Sequence, residues 1–212
     1  MISGAAALGV AVIALGMVLT PGPNMMYLVT RSLTQGRRAG LVSLLGVITA
    51  LFLYVVAASL GLSALFAAVP ELFWTVKTLG ALYLVWLAVG TVRGGRSVFD
   101  PDADLPHHSQ RRLYSMGVVT CLLNPKMALM YSALLPQFLD PHGSGSTAAQ
   151  LLQLGLVQIC VAAVVNAMWV LLAARIAVLM QRSRRIDRGV RWTTGGLLTW
   201  FAVHLGLARV AA

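Results

Sequence analysis

Residues 20–24 read TPGPN and interrupt the first apolar stretch of the chain. Fifteen residues without a charge, Ala5 to Leu19, precede them, and the apolar run MMYLVT (25–30) follows. Proline lacks a backbone N–H and clashes with the preceding helical turn, so a continuous helix is not expected through this point. The pattern therefore predicts a helix long enough to cross a bilayer and broken at 20–24.

The composition indicates a membrane protein. Of the 212 residues, 58% are hydrophobic and 10% are charged, whereas soluble domains carry about 25% charged residues. A span needs about 20 apolar residues. Six stretches meet or nearly meet this length: about 5–30, 40–69, 72–92, 116–139, 148–180 and 193–210. The sequence thus predicts an all-α integral membrane protein with six transmembrane helices. Residues 1–19 lack a signal peptide's basic start, so we expect this first span to be retained.

The basic residues predict the orientation. Twelve of the 16 fall in the connections after spans 1, 3 and 5: Arg31, Arg37, Arg38, Arg93, Arg96, Arg111, Arg112, Arg182, Arg184, Arg185, Arg188 and Arg191. The opposite connections, 67–71 and 140–150, contain neither lysine nor arginine. The positive-inside rule therefore places both termini outside. The same clustering attributes the net charge of +10 to membrane topology rather than to nucleic-acid binding.

A second break occurs in span 4, where CLLNPKMALMY places Asn124, Pro125 and Lys126 inside an apolar stretch. Three spans in each half, with the first helix of each half broken, predict two inverted three-helix repeats, a common plan of membrane transporters. We therefore expect one membrane domain over residues 1–212. Its parts are repeat one (about 1–92), a cytoplasmic linker (about 93–113) and repeat two (about 114–212).

The two breaks lie at comparable depth. Asn24 precedes Arg31 by seven residues, about 10 Å of helix, and Asn124 follows Arg112 by twelve residues, about 18 Å. We expect Asn24 and Asn124 to face one water-accessible cavity, lined also by Lys126. Freed backbone N–H groups attract anions and freed carbonyls attract cations. Such a site suits a zwitterion.

Three stretches resemble the LysE/RhtB family of bacterial amino-acid exporters: TPGPNMMYLVTRSLTQGRRAG (20–40), GALYLVWLAVG (80–90) and NPKMALMYSALLPQF (124–138). The resemblance implies a secondary exporter in the bacterial inner membrane, of the homoserine, threonine or leucine efflux type, driven by proton antiport and without a cofactor. In such a membrane the positive-inside rule places both termini in the periplasm, and a homo-oligomer is compatible with the resemblance. The substrate-binding residues it implies are Pro21, Gly22, Pro23, Asn24, Asn124, Pro125 and Lys126.

Charged groups inside the spans are few. Lys126 is a candidate for holding the substrate carboxylate or for carrying the coupled proton, because a charge at this depth is costly and usually functional. His204, in span 6, is a second proton-coupling candidate, since histidine titrates near neutral pH. No aspartate or glutamate lies in the middle of a span, which favours neutral over basic amino acids. The amides of span 5 either join helices or face the pathway: Gln153, Gln158 and Asn166.

Other functions remain open at this stage. One alternative is an exporter of another small solute or of a metal cation on the same fold. Asp100, Asp102 and Asp104 resemble the start of a calcium loop, but Leu105 and Arg111 stand where glycine and the bidentate acid belong. His107 and His108 are further metal candidates, but a solvated, partly disordered cytoplasmic linker is the better interpretation of this stretch. A thiol redox protein is less well supported, since span 1 has no cysteine beside Cys121 and Cys160 in spans 4 and 5. No residue pattern of an enzyme stands within the spans.

Overall fold

The computed structural model describes residues 2–20, 22–62, 107–140, 143 and 145–182, together with single helical positions at 78, 82, 85, 89, 189, 192, 196, 199 and 203. Every regular element within these residues is helical. Apart from those single positions, the predicted third and sixth spans, at 72–92 and 193–210, lie outside the described residues, as does the linker from 93 to 106.

The first predicted span is a bent helix pair. Helix α1 (Gly4–Leu19) begins where the hydroxyl of Ser3 accepts a hydrogen bond from the amide of Ala6, and it ends at Thr20. Helix α2 (Pro23–Gln35) starts with proline, whose missing N–H would have no partner in a first turn anyway. The two helices meet at 55°. The predicted break at 20–24 is therefore confirmed.

Helix α3 (Arg37–Ala57) follows directly and continues into a π-helical turn, Ala58–Leu62. Gly36, with a φ of 85°, separates α2 from α3 in a conformation that favours glycine. Helix α4 (Gln110–Leu122) includes the last four residues, 110–113, of the range expected for the linker. Together, α3 and its extension form a continuous apolar helix long enough to cross a membrane.

The fourth predicted span is the second bent pair. Helix α4 is followed by α5 (Pro125–Leu129), a π-helical turn (Met130–Leu134) and a 3₁₀ turn (Leu135–Phe138). The bend between α4 and the segment that begins at Lys126 is again 55°. The sequence prediction of two broken helices is thus correct in both places, because proline forces the interruption in each case.

Helix α6 (Thr147–Arg182) completes the described part of the chain and matches the fifth predicted span. α3 and α6 are each long and apolar enough to cross a membrane, and the described residues contain up to four candidate spans if each bent pair counts as one. Helix α6 packs against α1, α2 and α3, and the hydroxyl of Ser32 in α2 donates to the carbonyl of Val170 at 2.7 Å.

Small residues allow α3 and α4 to cross closely. A methyl group added at Gly46 would collide with the backbone carbonyl of Tyr114, and one added at Gly117 would collide with that of Ser43. Reciprocal glycines of this kind are frequent where membrane helices touch, since they let the two backbones approach. This crossing fixes α4, and hence the second break, against α3.

Arg31 lies in a helix, whereas the sequence predicted it in a cytoplasmic loop. It belongs to α2 and is only 6% exposed, with its guanidinium 5.9 Å from the ring centre of Tyr27 and donating to Gln35 at 3.5 Å. The helix ends at Gln35, eleven residues beyond Asn24, which is about 16 Å of helix. Asn24 therefore lies farther from the end of its helix than the 10 Å estimated from its distance to Arg31.

Candidate functional site

Lys126 links the two breaks. It lies in the first turn of α5, is 5% exposed, and its ammonium donates to the carbonyl oxygens of Met17 at 2.8 Å and Thr20 at 3.0 Å. In a continuous helix the Met17 carbonyl would accept from residue 21, but a proline at that position has no N–H to give. The cation of the second break thus satisfies carbonyls that the first break frees, at a helix C-terminus where a positive charge is favoured.

Asn124 holds the start of α5. Its side-chain oxygen accepts from the amide of Lys126 at 3.1 Å, and its backbone carbonyl accepts from the amides of Met127 and Ala128. This N-cap fixes the turn from which the Lys126 side chain extends. The side-chain nitrogen of Asn124, which is 1% exposed as a residue, finds no hydrogen-bond partner among the described residues.

Asn24 provides the opposite group in the first turn of α2. Its side-chain nitrogen donates to the sulfur of Cys121 at 3.4 Å, while its side-chain oxygen is buried and unpartnered within the described part of the chain. Buried polar groups are nearly always hydrogen-bonded, and an exception needs an explanation. One unused acceptor at the first break and one unused donor at the second are groups that a polar ligand can satisfy.

A cavity lies beside the two breaks. Its volume is about 20 Å³, which is room for about one water molecule rather than an amino acid. The breaks contribute Thr20, Gly22, Asn24 and Lys126 to its wall, and the helices that flank or pack against them contribute Val18, Met25, Leu51, Met127, Ala162 and Asn166. Asn124 is not in this wall, so the two asparagines differ in position. Asn24 lines the cavity, whereas the side chain of Asn124 accepts from the backbone amide of Lys126.

Gly22 gives Lys126 the space it occupies. A Cβ atom at this position would lie 3.0 Å from the Lys126 ammonium nitrogen and 3.4 Å from its Cε. The φ of Gly22, −166°, is extended backbone that any residue adopts, so the need for glycine here is one of space. The first motif therefore contributes a small residue as well as a break.

The polar residues of α6 divide into two groups. Asn166 lines the cavity, and its side chain donates to the carbonyl of Ala162 at 2.8 Å. Gln158 is hydrogen-bonded to the hydroxyl of Tyr131, and Gln153 accepts from the amide of Ile2 at 3.0 Å. Asn166 thus belongs to the candidate site, whereas the two glutamines join helices.

Sequence reasoning missed several parts of this arrangement. The acceptors of Met17 and Thr20 are backbone atoms, which no side-chain pattern reveals. Tyr131 is fully buried in the π-helical turn and stacks on Tyr54 with 5.3 Å between ring centres. A tyrosine within an apolar span indicates a buried hydroxyl that needs a partner. The sequence does not identify Gln158 as that partner, because the contact depends on the packing of α6.

Some predicted site residues cannot be placed. Pro21 and His204 lie outside the described residues, and for Pro125 only the backbone, at the start of α5, is described. Asp100, Asp102 and Asp104 also fall outside them. Among the residues that are described, no group of three or more histidine, cysteine, aspartate or glutamate side chains could hold a metal ion. Cys121 is buried against Asn24 and Cys160 is exposed, both as free thiols.

Comparison with known proteins gives a family. Residues 15–209 match the model of the LysE type translocator family. The chain is 31% identical over 193 residues to the homoserine/homoserine lactone efflux protein of Salmonella typhimurium, covering 91% of this chain and 92% of that protein.

Two further relatives are uncharacterized membrane proteins. That of Bacillus subtilis is 35% identical over 141 residues, 62% of this chain and 67% of the relative, and that of Pseudomonas aeruginosa is 29% identical over 198 residues, 92% and 91%. No solved structure matches the chain. On the family match across nearly its whole length, this chain belongs to the LysE type translocator family of membrane transport proteins.

Proposed function

We propose that the chain exports neutral amino acids across the bacterial inner membrane, in exchange for protons and with both termini in the periplasm. Family membership supports the transport of a small molecule, and one relative carries the name homoserine/homoserine lactone efflux protein. Homoserine, threonine and leucine are the substrates to test first. Nothing in the described residues favours a metal cation, because the cavity wall contains no carboxylate, imidazole or thiol.

The observation that carries the proposal is the bonding of Lys126 to Met17 and Thr20. It brings a buried ammonium and two helix-end carbonyls together at the edge of one cavity. A zwitterionic amino acid offers a carboxylate to the ammonium and an ammonium to the carbonyls. Broken helices that meet near the membrane midplane are the usual place where transporters hold such substrates.

The preference for neutral substrates follows from the charges of the wall. Its single ionisable side chain among the described residues is Lys126, and no acidic group balances it. A lysine or arginine substrate would add a second cation, and an unpaired charge in a low-dielectric interior costs several kcal/mol. Neutral amino acids avoid this cost because their two charges are matched within the site.

The proposed roles of the site residues follow their positions. Gly22 and Asn24 form the substrate side of the first break, and Asn124 positions Lys126 at the second. The prolines Pro21, Pro23 and Pro125 keep both helices interrupted. Lys126 and His204 remain the two candidates for proton coupling, the former because it lies at the substrate and the latter because of its residue type.

The test is an export assay in cells. Cells that express the protein are loaded with dipeptides of homoserine, threonine, leucine or lysine, and the free amino acids appearing outside are followed over time. Cells with the empty vector give the background. We expect faster release of at least one neutral amino acid and no faster release of lysine. Release of lysine ahead of all three neutral amino acids would contradict the proposed selectivity.

A further inference from the structure

The acceptors that a substrate ammonium needs are already in use. The Lys126 side chain ends in a primary ammonium with three N–H donors, the same group that an amino acid carries on its α-carbon. It donates to the carbonyls of Met17 and Thr20 at 2.8 and 3.0 Å. The Lys126 ammonium therefore makes the hydrogen bonds to these two carbonyls that the ammonium of a bound substrate would make.

We propose that the carbonyls of Met17 and Thr20 form the ammonium subsite of this exporter, and that Lys126 fills the subsite until the substrate ammonium displaces it. The inference rests on the proposed function, since it assigns a subsite for the same amino-acid substrate. The displaced lysine then pairs with the substrate carboxylate. Substrate binding is thus an exchange of one primary ammonium for another.

Two further observations support the exchange. Asn24 lines the same cavity, and its side-chain oxygen, which has no partner within the described chain, supplies a third acceptor for an incoming ammonium. The cavity itself has a volume of only about 20 Å³. An amino acid does not fit in this volume, so the wall must move for it to bind, and Lys126 is the wall residue whose contacts a substrate ammonium can replace.

The exchange makes the carboxylate obligatory. An amine without a carboxylate displaces Lys126 but offers it no counter-charge, which leaves two cations in one buried site without an acid to balance them. A zwitterion supplies the counter-charge together with the displacing group. Lys126 thereby excludes simple amines, a selectivity that a lysine acting only as a carboxylate ligand does not provide.

The experiment compares three probes of similar size on the purified protein in lipid nanodiscs. L-homoserine carries both charges, 3-aminopropan-1-ol carries only the ammonium, and 4-hydroxybutyrate carries only the carboxylate. Binding of each radiolabelled probe is measured for wild type and for Lys126→Met. We expect 3-aminopropan-1-ol to bind at least about tenfold more tightly to the variant, because a charge-assisted hydrogen bond no longer has to be broken. The affinity of 4-hydroxybutyrate should fall by at least about tenfold.

Two matched variants make the result specific. Lys126→Arg keeps a cation at the carbonyls and should bind 3-aminopropan-1-ol as weakly as wild type. Lys126→Gln removes the charge but keeps a donor for one carbonyl, so it should show a smaller gain than Lys126→Met in the same direction, which covers the case in which the methionine variant does not fold. Equal binding of 3-aminopropan-1-ol by wild type and both neutral variants would overturn the inference, as would a gain in the arginine variant.

The two proposals fail in different ways. If wild type binds L-homoserine and exports neutral amino acids but the neutral variants show no gain for 3-aminopropan-1-ol, only the ammonium subsite is wrong. If wild type neither binds nor exports homoserine, threonine or leucine, the proposed function is wrong and the subsite falls with it.

Discussion

The two helix breaks share a bend of 55° but differ in how their backbone ends are satisfied. At the second break Asn124 caps α5 with both its side chain and its backbone carbonyl, and the hydroxyl of Tyr54 in α3 donates to the carbonyl of Leu122 at 2.7 Å. At the first break no side chain caps α2, and the carbonyls of Met17 and Thr20 are bound by Lys126, more than 100 residues further along the chain.

The difference shows that the breaks are complementary rather than equivalent. One provides helix-end carbonyls, and the other provides the cation that binds them. A proline break exposes polar backbone that lipid cannot satisfy, so each needs partners from protein or from a ligand. The first break takes the donor for its carbonyls from the second, whereas the second takes its partners from Asn124 and from Tyr54 in α3. A substitution at Lys126 should therefore affect both breaks, whereas a substitution at Asn24 should affect only the first.

The largest expected effect is an all-or-none difference in cysteine labelling. The labelling tests whether the two broken helices enter the membrane from opposite sides. Single cysteines at Ser97 and at Ser144 should react from opposite sides of intact cells, with Ser144→Cys labelled from outside by an impermeant maleimide. The reason is the segregation of twelve basic residues on one side of the predicted spans. Cys160, which is exposed, should be replaced by alanine in both variants. Labelling of both sites from one side would refute the inverted repeat.

The next largest effect should come from Lys126→Met. Loss of the ammonium leaves two buried carbonyls without their donor and the substrate carboxylate without its cation. Each lost interaction costs about 1–3 kcal/mol. We expect homoserine efflux from loaded proteoliposomes to slow by at least about 100-fold, with Lys126→Arg retaining more activity than Lys126→Met. Equal protein amounts in the vesicles are the control. An efflux rate within about threefold of wild type would remove Lys126 from the site.

The sequence predicted the breaks well, because proline acts through local chemistry that does not depend on packing. It also singled out Lys126, since an uncompensated charge in an apolar stretch is visible in one dimension. It did not reveal what Lys126 binds. The Met17 and Thr20 carbonyls are backbone atoms brought to Lys126 by packing of α1 against distant helices, and no residue pattern encodes that distance.

Arg31 and Asn124 show the same limit. Arg31 was expected in a loop because it is charged, yet it extends α2 and is buried, with its guanidinium near the ring of Tyr27. Asn124 was expected to face the cavity, yet its side chain caps α5. Residue type indicates that a polar group has a purpose, but the direction of the side chain decides which purpose, and direction depends on the fold.

An intermediate effect is expected from the asparagines. Asn124→Leu removes an N-cap, which costs about 0.5–2 kcal/mol, and loosens the turn that positions Lys126. Efflux of homoserine should fall by roughly 3- to 30-fold. Asn124→Ser retains a capping oxygen and should recover most of the rate. If Asn124→Ser exports homoserine as slowly as Asn124→Leu, loss of the N-cap does not explain the slower efflux.

Asn24→Leu tests the other break, with a different signature. It removes a cavity-lining acceptor while the Lys126 bonds to Met17 and Thr20 stay intact. We expect a weaker apparent affinity for homoserine, about tenfold, with a smaller change in the maximal efflux rate, because a hydrogen bond to a charged group is worth about 1.5–3 kcal/mol. A pure loss of maximal rate, with affinity unchanged, would place Asn24 outside the substrate site.

The smallest expected effect is that of Gly22→Ala. The added methyl group would lie 3.0 Å from the Lys126 ammonium nitrogen and 3.4 Å from its Cε, so the lysine must shift by a few tenths of an ångström. The backbone of Gly22 is extended and tolerates alanine without strain. Efflux of homoserine should fall by about threefold, since a displaced charge-assisted bond loses only part of its strength.

Gly4→Ala is the matched control, because nothing lies within 4 Å of the position where its methyl group would stand. The comparison also separates crowding of Lys126 from a general intolerance of α1 and α2 to larger residues. If Gly22→Ala slows efflux by crowding Lys126, the same substitution in a Lys126→Met background should have little further effect, since the two changes then act on one group. Independent, additive losses would mean that Gly22 acts on the substrate itself, and the first break would then contribute shape as well as acceptors to the site.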